Sequence, residues 1–202
     1  MPPSSSLTPL GVAALALLVE RPMHPYEMYQ TLVQRSEERV VKVRPGSLYH
    51  TVDRLAASGL VRATGTEREG NRPERTTYEI TERGSLALSE RVAEILGTPV
   101  NEYPEFPLAL GEAHNLPVES VIQLLKNRVS LIRADIAVLD DGIRSIQAKQ
   151  LPRKYWLNVQ YTRALSDVEA SWLESLIHDL ESGDISWTEE IHHRQEVPWK
   201  KN

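Results

Sequence analysis

Residues 44–60 read RPGSLYHTVDRLAASGL, and the spacing of residue types predicts a helix with two unlike faces. At about 100° per residue, Leu48, Val52 and Leu55 gather on one side with Tyr49 and Ala56 beside them, while Ser47, His50, Thr51 and Arg54 gather on the other. The first side is suited to burial. The second carries short or flat hydrogen-bonding groups, with Asp53 at its margin and without the Lys and Glu pairs common on solvent-facing helices. Such groups match the donors and acceptors of base edges and phosphates in a major groove. Pro45 suits the first helical turn, where its missing N–H would have no partner, and Gly46 and Ser47 keep that end small enough for close approach to a phosphate. Gly59 stops the helix. An ordinary amphipathic helix would share much of this pattern, so the flanking segments decide.

Upstream, Thr8-Pro9 reads as an N-cap followed by a first-turn proline, and Leu10 to Val19 is apolar almost all round, the mark of a core helix. Arg21-Pro22 breaks it. His24-Pro25 repeats the start signal, with His24 as a cap or surface group, and Tyr26, Tyr29, Leu32 and Val33 place one apolar face on a second helix ending near Ser36. Downstream of Gly59 the period drops from 3.6 to 2: Val61 and Ala63 alternate with Arg62 and Thr64, and Thr76, Tyr78 and Ile80 with Thr77 and Glu79. These are two strands of a hairpin. The loop between them, Glu67 to Glu74, is polar and contains Gly70, Asn71 and Pro73, and Thr81-Glu82-Arg83-Gly84 opens a further helix to about Leu96.

Three helices, a hairpin and a helix form the order of a winged helix-turn-helix, in which the third helix enters the major groove and the hairpin loop lies along the backbone or the minor groove. Charge is distributed accordingly. The chain has net charge -5, yet residues 39–75 hold 8 basic and 4 acidic residues, net +4. A local positive patch supplies phosphate contacts even under an unfavourable overall sign. Arg44 and the wing residues Arg68, Arg72 and Arg75 are the candidates for those contacts, Ser47, His50, Thr51 and Arg54 face the groove, and Tyr49 straddles core and backbone.

The stretch PGSLYHTVDRLAASGLV, the wing ending RTTYEITERG and the segment His24-Pro25-Tyr26-Glu27-Met28 resemble three separated motifs of the PadR family of bacterial transcriptional regulators, in the same order. The resemblance covers residues 7–96 closely. It implies DNA binding as a dimer, typically as a repressor released by a small molecule. Pro25 stands where the family usually has Gly, and His50-Thr51 where a proline and a small residue are common, so the operator sequence does not carry over from relatives.

Residues 97–117 contain Pro99, Pro104, Pro107 and Pro117, a boundary signal, but Tyr103, Phe106, Leu108 and Leu110 are apolar enough to lie against a helix. Beyond them Val118, Ile122, Leu125, Val129, Ile132, Ile136, Leu139, Ile143 and Ile146 are spaced alternately 4 and 3, a coiled-coil seam that requires a partner helix. Val121, Leu124, Leu131 and Val138 add a second strip. After Leu151-Pro152 another long helix carries the stripe Tyr161, Leu165, Val168, Trp172 and Leu176, stopped by Gly183. The two helices can pair within one chain, between two chains, or both; dimerisation through the seam with Leu165 and Trp172 covers more of the apolar surface.

Chemistry is sparse. There is no cysteine, excluding disulfides, thiolate metal sites and Cys nucleophiles, and no G-x-S-x-G, P-loop, Rossmann or H-E-x-x-H pattern. Asp140-Asp141 diverge on a helix surface, and the adjacent His192 and His193 make a poor metal site. Neither enzyme activity, cofactor nor metal is expected. Trp156, Trp172 and Trp187 with Tyr155 are the candidate lining for a small aromatic effector, though core packing is their commoner use. The longest apolar run is far short of a membrane span, and the start lacks a signal peptide's positive charge, which points to a cytoplasmic protein.

The expected architecture is mainly α with a two-stranded β wing: a winged helix-turn-helix DNA-binding domain over residues 1–96, a linker over 97–117 and a helical dimerisation domain over 118–202. The expected partners are a palindromic double-stranded DNA operator and a second copy of the chain, with a small molecule bound between the two domains. A winged-helix adaptor that binds protein instead of operator DNA is the alternative, which the local positive patch disfavours.

Overall fold

The computed structural model describes residues 7–67 and 75–187, with side chains described over 7–65 and 76–187. The chain divides into two compact units, residues 1–102 and 103–202.

The first unit contains α1 (Pro9–Glu20), α2 (Pro25–Gln34), α3 (Pro45–Ala57), β1 (Val61–Glu67), β2 (Arg75–Ile80) and α4 (Glu82–Gly97), with a 3-10 turn at Glu37–Arg39. The starts follow capping chemistry. The Thr8 hydroxyl accepts from the Gly11 N–H at 3.1 Å, and His24 Nδ1 accepts from the Tyr26 N–H at 3.1 Å, so His24 is the cap of α2. Leu15, Met28, Leu48 and Val52 are fully buried where α1, α2 and α3 meet, joined by Leu18, Leu32, Leu55 and Val61. Bidentate pairing of Arg35 with Glu20, at 2.5 and 2.7 Å, ties the end of α2 to the end of α1 and holds the Glu20 carboxyl below its ordinary pKa.

β1 and β2 are antiparallel, with Val61 opposite Ile80 and a bulge between Ala63 and Gly65. Met23, just before α2, exchanges both backbone hydrogen bonds with Tyr78 at 3.0 Å, which moors the hairpin to the helices. α4 is capped by the Thr81 hydroxyl, which accepts from the Gly84 N–H at 3.1 Å and donates to the Gly59 carbonyl at 2.8 Å.

The second unit contains α5 (Glu105–Gly111), α6 (Val118–Ala148) and α7 (Leu157–Ser182), with 3-10 turns at Ala113–Asn115 and Arg153–Tyr155. Phe106 and Leu110, expected within a linker, pack on the core of this unit, and the Arg128 guanidinium lies 3.5 Å from the centre of the Phe106 ring. α6 and α7 are antiparallel partners: Lys126 pairs with Glu181 at 2.6 Å, Arg133 with Glu174 at 2.9 Å and Asp167 at 2.6 Å, and Arg163 with Asp140 at 3.0 Å.

Within the chain, the coiled-coil seam lies along this pairing. All nine residues from Val118 to Ile146 are buried or half-buried, with Leu125, Ile136 and Leu139 deepest, and the helix they meet is α7 of the same chain. α7 turns Ala170, Leu173, Ile177 and Leu180 inward, with Leu176 half-buried against the same core, so of its expected stripe Leu176 alone packs. Tyr161, Leu165, Val168 and Trp172 face solvent, as do Leu124, Leu131 and Val138 of α6. Asp140 and Asp141 diverge as expected, pairing with Arg163 and Arg144 respectively. No described helix is long and apolar enough to cross a membrane.

Candidate nucleic-acid interface

α3 is positioned by its apolar row. With Leu48, Val52 and Leu55 clamped under α1 and α2, Ser47, His50, Asp53 and Arg54 are left exposed on the opposite side. Its first turn is open: Arg44 and Gly46 are exposed, and no atom lies within 4 Å of where a Cβ on Gly46 would sit. A helix start of this kind presents unpaired N–H groups to an incoming anion.

Thr51 departs from the expectation. It is only 4% exposed, and its hydroxyl donates to the Ser47 carbonyl at 2.8 Å. The reason lies in the helical repeat: Thr51 is three residues after Leu48 and four before Leu55, inside the buried arc, and the bond to the carbonyl four residues back satisfies its hydroxyl without water. Thr51 therefore supports α3 from within and presents nothing to a groove.

Tyr49 is 40% exposed and does not enter the core; its ring stands edge-on to His24, with centroids 5.8 Å apart at 75°. That contact joins the start of α2 to the side of α3. It brings His24, and Tyr26 exposed two residues later, to the neighbourhood of the exposed α3 face, an association that local patterning does not reveal because His24 and Tyr49 lie 25 positions apart in the chain. Glu27 in the same turn is held below its ordinary pKa by a hydrogen bond from Arg21 at 2.6 Å.

In the wing, Arg62 pairs across the hairpin with Glu79. Arg68 and Arg72 lie outside the described residues, as does the side chain of Arg75; in the tail, His192 and His193 also lie outside them. The aromatic residues considered for an effector do not converge. Trp156 is buried at the start of α7 with its indole N–H on the Leu151 carbonyl at 3.2 Å, whereas Trp187, beyond the other end of that helix, donates to the Leu116 carbonyl at 2.9 Å. Tyr155 and Trp172 are exposed. No group of three or more metal-ligating side chains occurs among the described residues.

Comparison with known proteins agrees with this architecture. Residues 14–90 match the Transcriptional regulator PadR-like family. In three dimensions the chain is similar to Bacillus subtilis PadR in complex with operator DNA, with a TM-score of 0.72 and 19% identity over 85% of this chain and 97% of that one. It is similar to Bacillus subtilis PadR in complex with p-coumaric acid, with a TM-score of 0.71 and 17% identity over 85% and 98%. The PadR-like transcriptional regulator BC1756 from Bacillus cereus gives a TM-score of 0.62 and 16% identity over 86% and 98%. At such identities the likeness is one of fold. No curated protein matches the chain. Residues 14–90 thus form a domain of the Transcriptional regulator PadR-like family.

Proposed function

We propose that this protein is a cytoplasmic, dimeric, sequence-specific repressor, released from its operator by a small molecule. The observation that carries the reading is the outward face of α3: Ser47, His50 and Arg54 are exposed together beside an open helix start, on a helix held by a rigid apolar row. Ser47, His50 and Arg54 read base edges; Arg44, Tyr49 and the wing arginines Arg68, Arg72 and Arg75 contact phosphates. Residues 1–96 act as the DNA-binding part and residues beyond 117 as the dimerising part. Support for dimerisation is the exposed apolar set Leu165, Val168 and Trp172 on α7 with Leu131 and Val138 on α6, since stretches of this size on a soluble monomer are uncommon. The described fold of Bacillus subtilis PadR, solved with operator DNA and with p-coumaric acid, supports both an operator and a small-molecule effector. Two recognition helices related by a twofold axis meet half-sites about 10 bp apart or a multiple of it.

The test is selection of bound sequences from random DNA followed by gel-shift titration at two salt concentrations. Enrichment of a palindrome with a steep salt slope is expected; a protein that enriches no sequence and shows no salt dependence is an adaptor instead.

A further inference from the structure

His24 sits where three parts of the first unit meet. As the cap of α2 its Nδ1 accepts from the Tyr26 N–H at 3.1 Å, and its own backbone N–H donates to the Glu27 carboxylate, a reciprocal pair that closes the first turn. Its neighbour Met23 exchanges both backbone hydrogen bonds with Tyr78 of β2 at 3.0 Å. The same imidazole stands edge-on to Tyr49 of α3, with centroids 5.8 Å apart. The ring of His24 is therefore held by α2, and the chain just before it by the wing.

Tyr49 is the side chain that gains from a fixed neighbour. It is exposed, on the margin between the buried row of Leu48 and Val52 and the outward group of Ser47, His50 and Arg54, and it lies outside the core. An edge-on contact with a held ring favours one pose of such a side chain over the others. The cap also fixes the charge of His24. A ring nitrogen that accepts a hydrogen bond carries no proton, so the imidazole seated on the Tyr26 N–H has its one proton on Nε2. An imidazolium has donors at both nitrogens: it loses the Tyr26 bond and brings positive charge to the positive end of α2. The Glu27 carboxylate faces it with the opposite sign but is already engaged by Arg21 at 2.6 Å. The other titratable groups around the ring are the phenols of Tyr26 on α2, Tyr49 on α3 and, across Met23, Tyr78 on β2.

From this geometry we infer that His24 is a positioning residue for operator binding: its neutral ring, seated as the cap of α2, holds Tyr49 in the pose that contacts a phosphate, and protonation of the ring releases Tyr49. The inference deepens the regulator reading and rests on it, because a DNA contact by Tyr49 belongs to that reading.

Full-length wild type and His24→Asn are titrated with the DNA fragment enriched from random sequence, at about pH 7.5 and 5.5, one unit either side of the ordinary imidazole value of about 6.5. Asn is a strong helix cap, so α2 keeps its start while the aromatic contact is lost; His24→Ser, a second cap without a ring, repeats the comparison should the Asn variant melt early. Wild type binds about fivefold more tightly than His24→Asn at the higher pH, and the advantage disappears at the lower one. The remaining histidines, His50 included, are common to both proteins and cancel in the ratio. In a Tyr49→Ala chain His24→Asn has no further effect at either pH. In the DNA-free wild type the Tyr49 ring resonances, identified by their loss in Tyr49→Phe, move as His24 titrates, and in His24→Asn they do not. A wild-type advantage that is equal at both pH values, or absent at the higher one, overturns the inference. So does a full effect of His24→Asn in the Tyr49→Ala chain, which makes His24 act other than through Tyr49. Failure of the regulator reading looks different: wild type binds no DNA at either pH, and the role of His24 falls with it even where the Tyr49 resonances still titrate.

Discussion

A Cβ on Gly84 would stand 2.1 Å from the Leu60 carbonyl oxygen and 2.9 Å from Cγ1 of Ile80. The first turn of α4 is thus laid directly on the backbone that joins α3 to the wing, in the same place where the Thr81 hydroxyl reaches the Gly59 and Leu60 carbonyls at 2.8 and 3.1 Å. The wing's angle to α3 depends on this contact. Backbone cannot yield as a flexible side chain does, so Gly84→Ala is expected to destabilise the first unit by about 2–3 kcal/mol, measured by urea unfolding. An unchanged midpoint would show that α4 moves away freely.

Thr51 and Arg54 lie one turn apart with opposite roles. Thr51→Ala removes a buried methyl and a satisfied hydroxyl and should lower stability by about 1 kcal/mol without altering the preferred operator. Arg54→Ala, at an exposed position, should leave the melting temperature in place and lose discrimination at one base pair, worth about 1–3 kcal/mol. Mutant gel shifts on single-base operator variants distinguish them. A change of specificity from Thr51→Ala would return that residue to the interface.

Arg44, exposed at the cap of α3, carries the phosphate prediction. Arg44→Ala should weaken binding to every sequence about equally and flatten the plot of log affinity against log salt by about one unit. Sequence-selective loss would instead assign it to base reading.

α6 and α7 separate folding from the proposed association. Leu125→Ala, in the buried seam of α6, is expected to cost about 2–5 kcal/mol in unfolding, whereas Trp172→Glu, on the exposed stripe of α7, should leave the helical content intact and shift the proposed dimer to monomer in sedimentation equilibrium. Dissociation by Leu125→Ala without loss of stability would place the interface on the seam.

Arg133 donates to Glu174 and Asp167, and both carboxyls titrate below their ordinary values in the folded chain. Depressed carboxyls contribute stability that is fully present above their unfolded pKa values, about 4, and is lost as pH falls through the folded values. Thermal melts of α6 and α7 should therefore weaken on acidification below about pH 4, and Arg133→Met should show a shallower acid dependence. Equal slopes in the two proteins would exclude this cluster as the acid-sensitive element.

Much of the fold was legible in the residues alone because its causes are local. Thr8, His24 and Thr81 announce helix starts by capping chemistry that acts over two or three residues, the change of period after Gly59 announces the hairpin, and the repeat from Val118 to Ile146 announces a helix in need of a partner. Which partner is a different kind of fact. The seam pattern is the same whether the facing helix belongs to this chain or another, and only the antiparallel return of α7, fixed by Arg133, Arg163 and Lys126 meeting acids 23 to 55 residues away, decides it. The same holds on α3: a helical wheel sorts residues by angle, but the edge of the buried arc depends on how far α1 and α2 reach around the helix. That reach took Thr51 inside, and it set Tyr49 against His24.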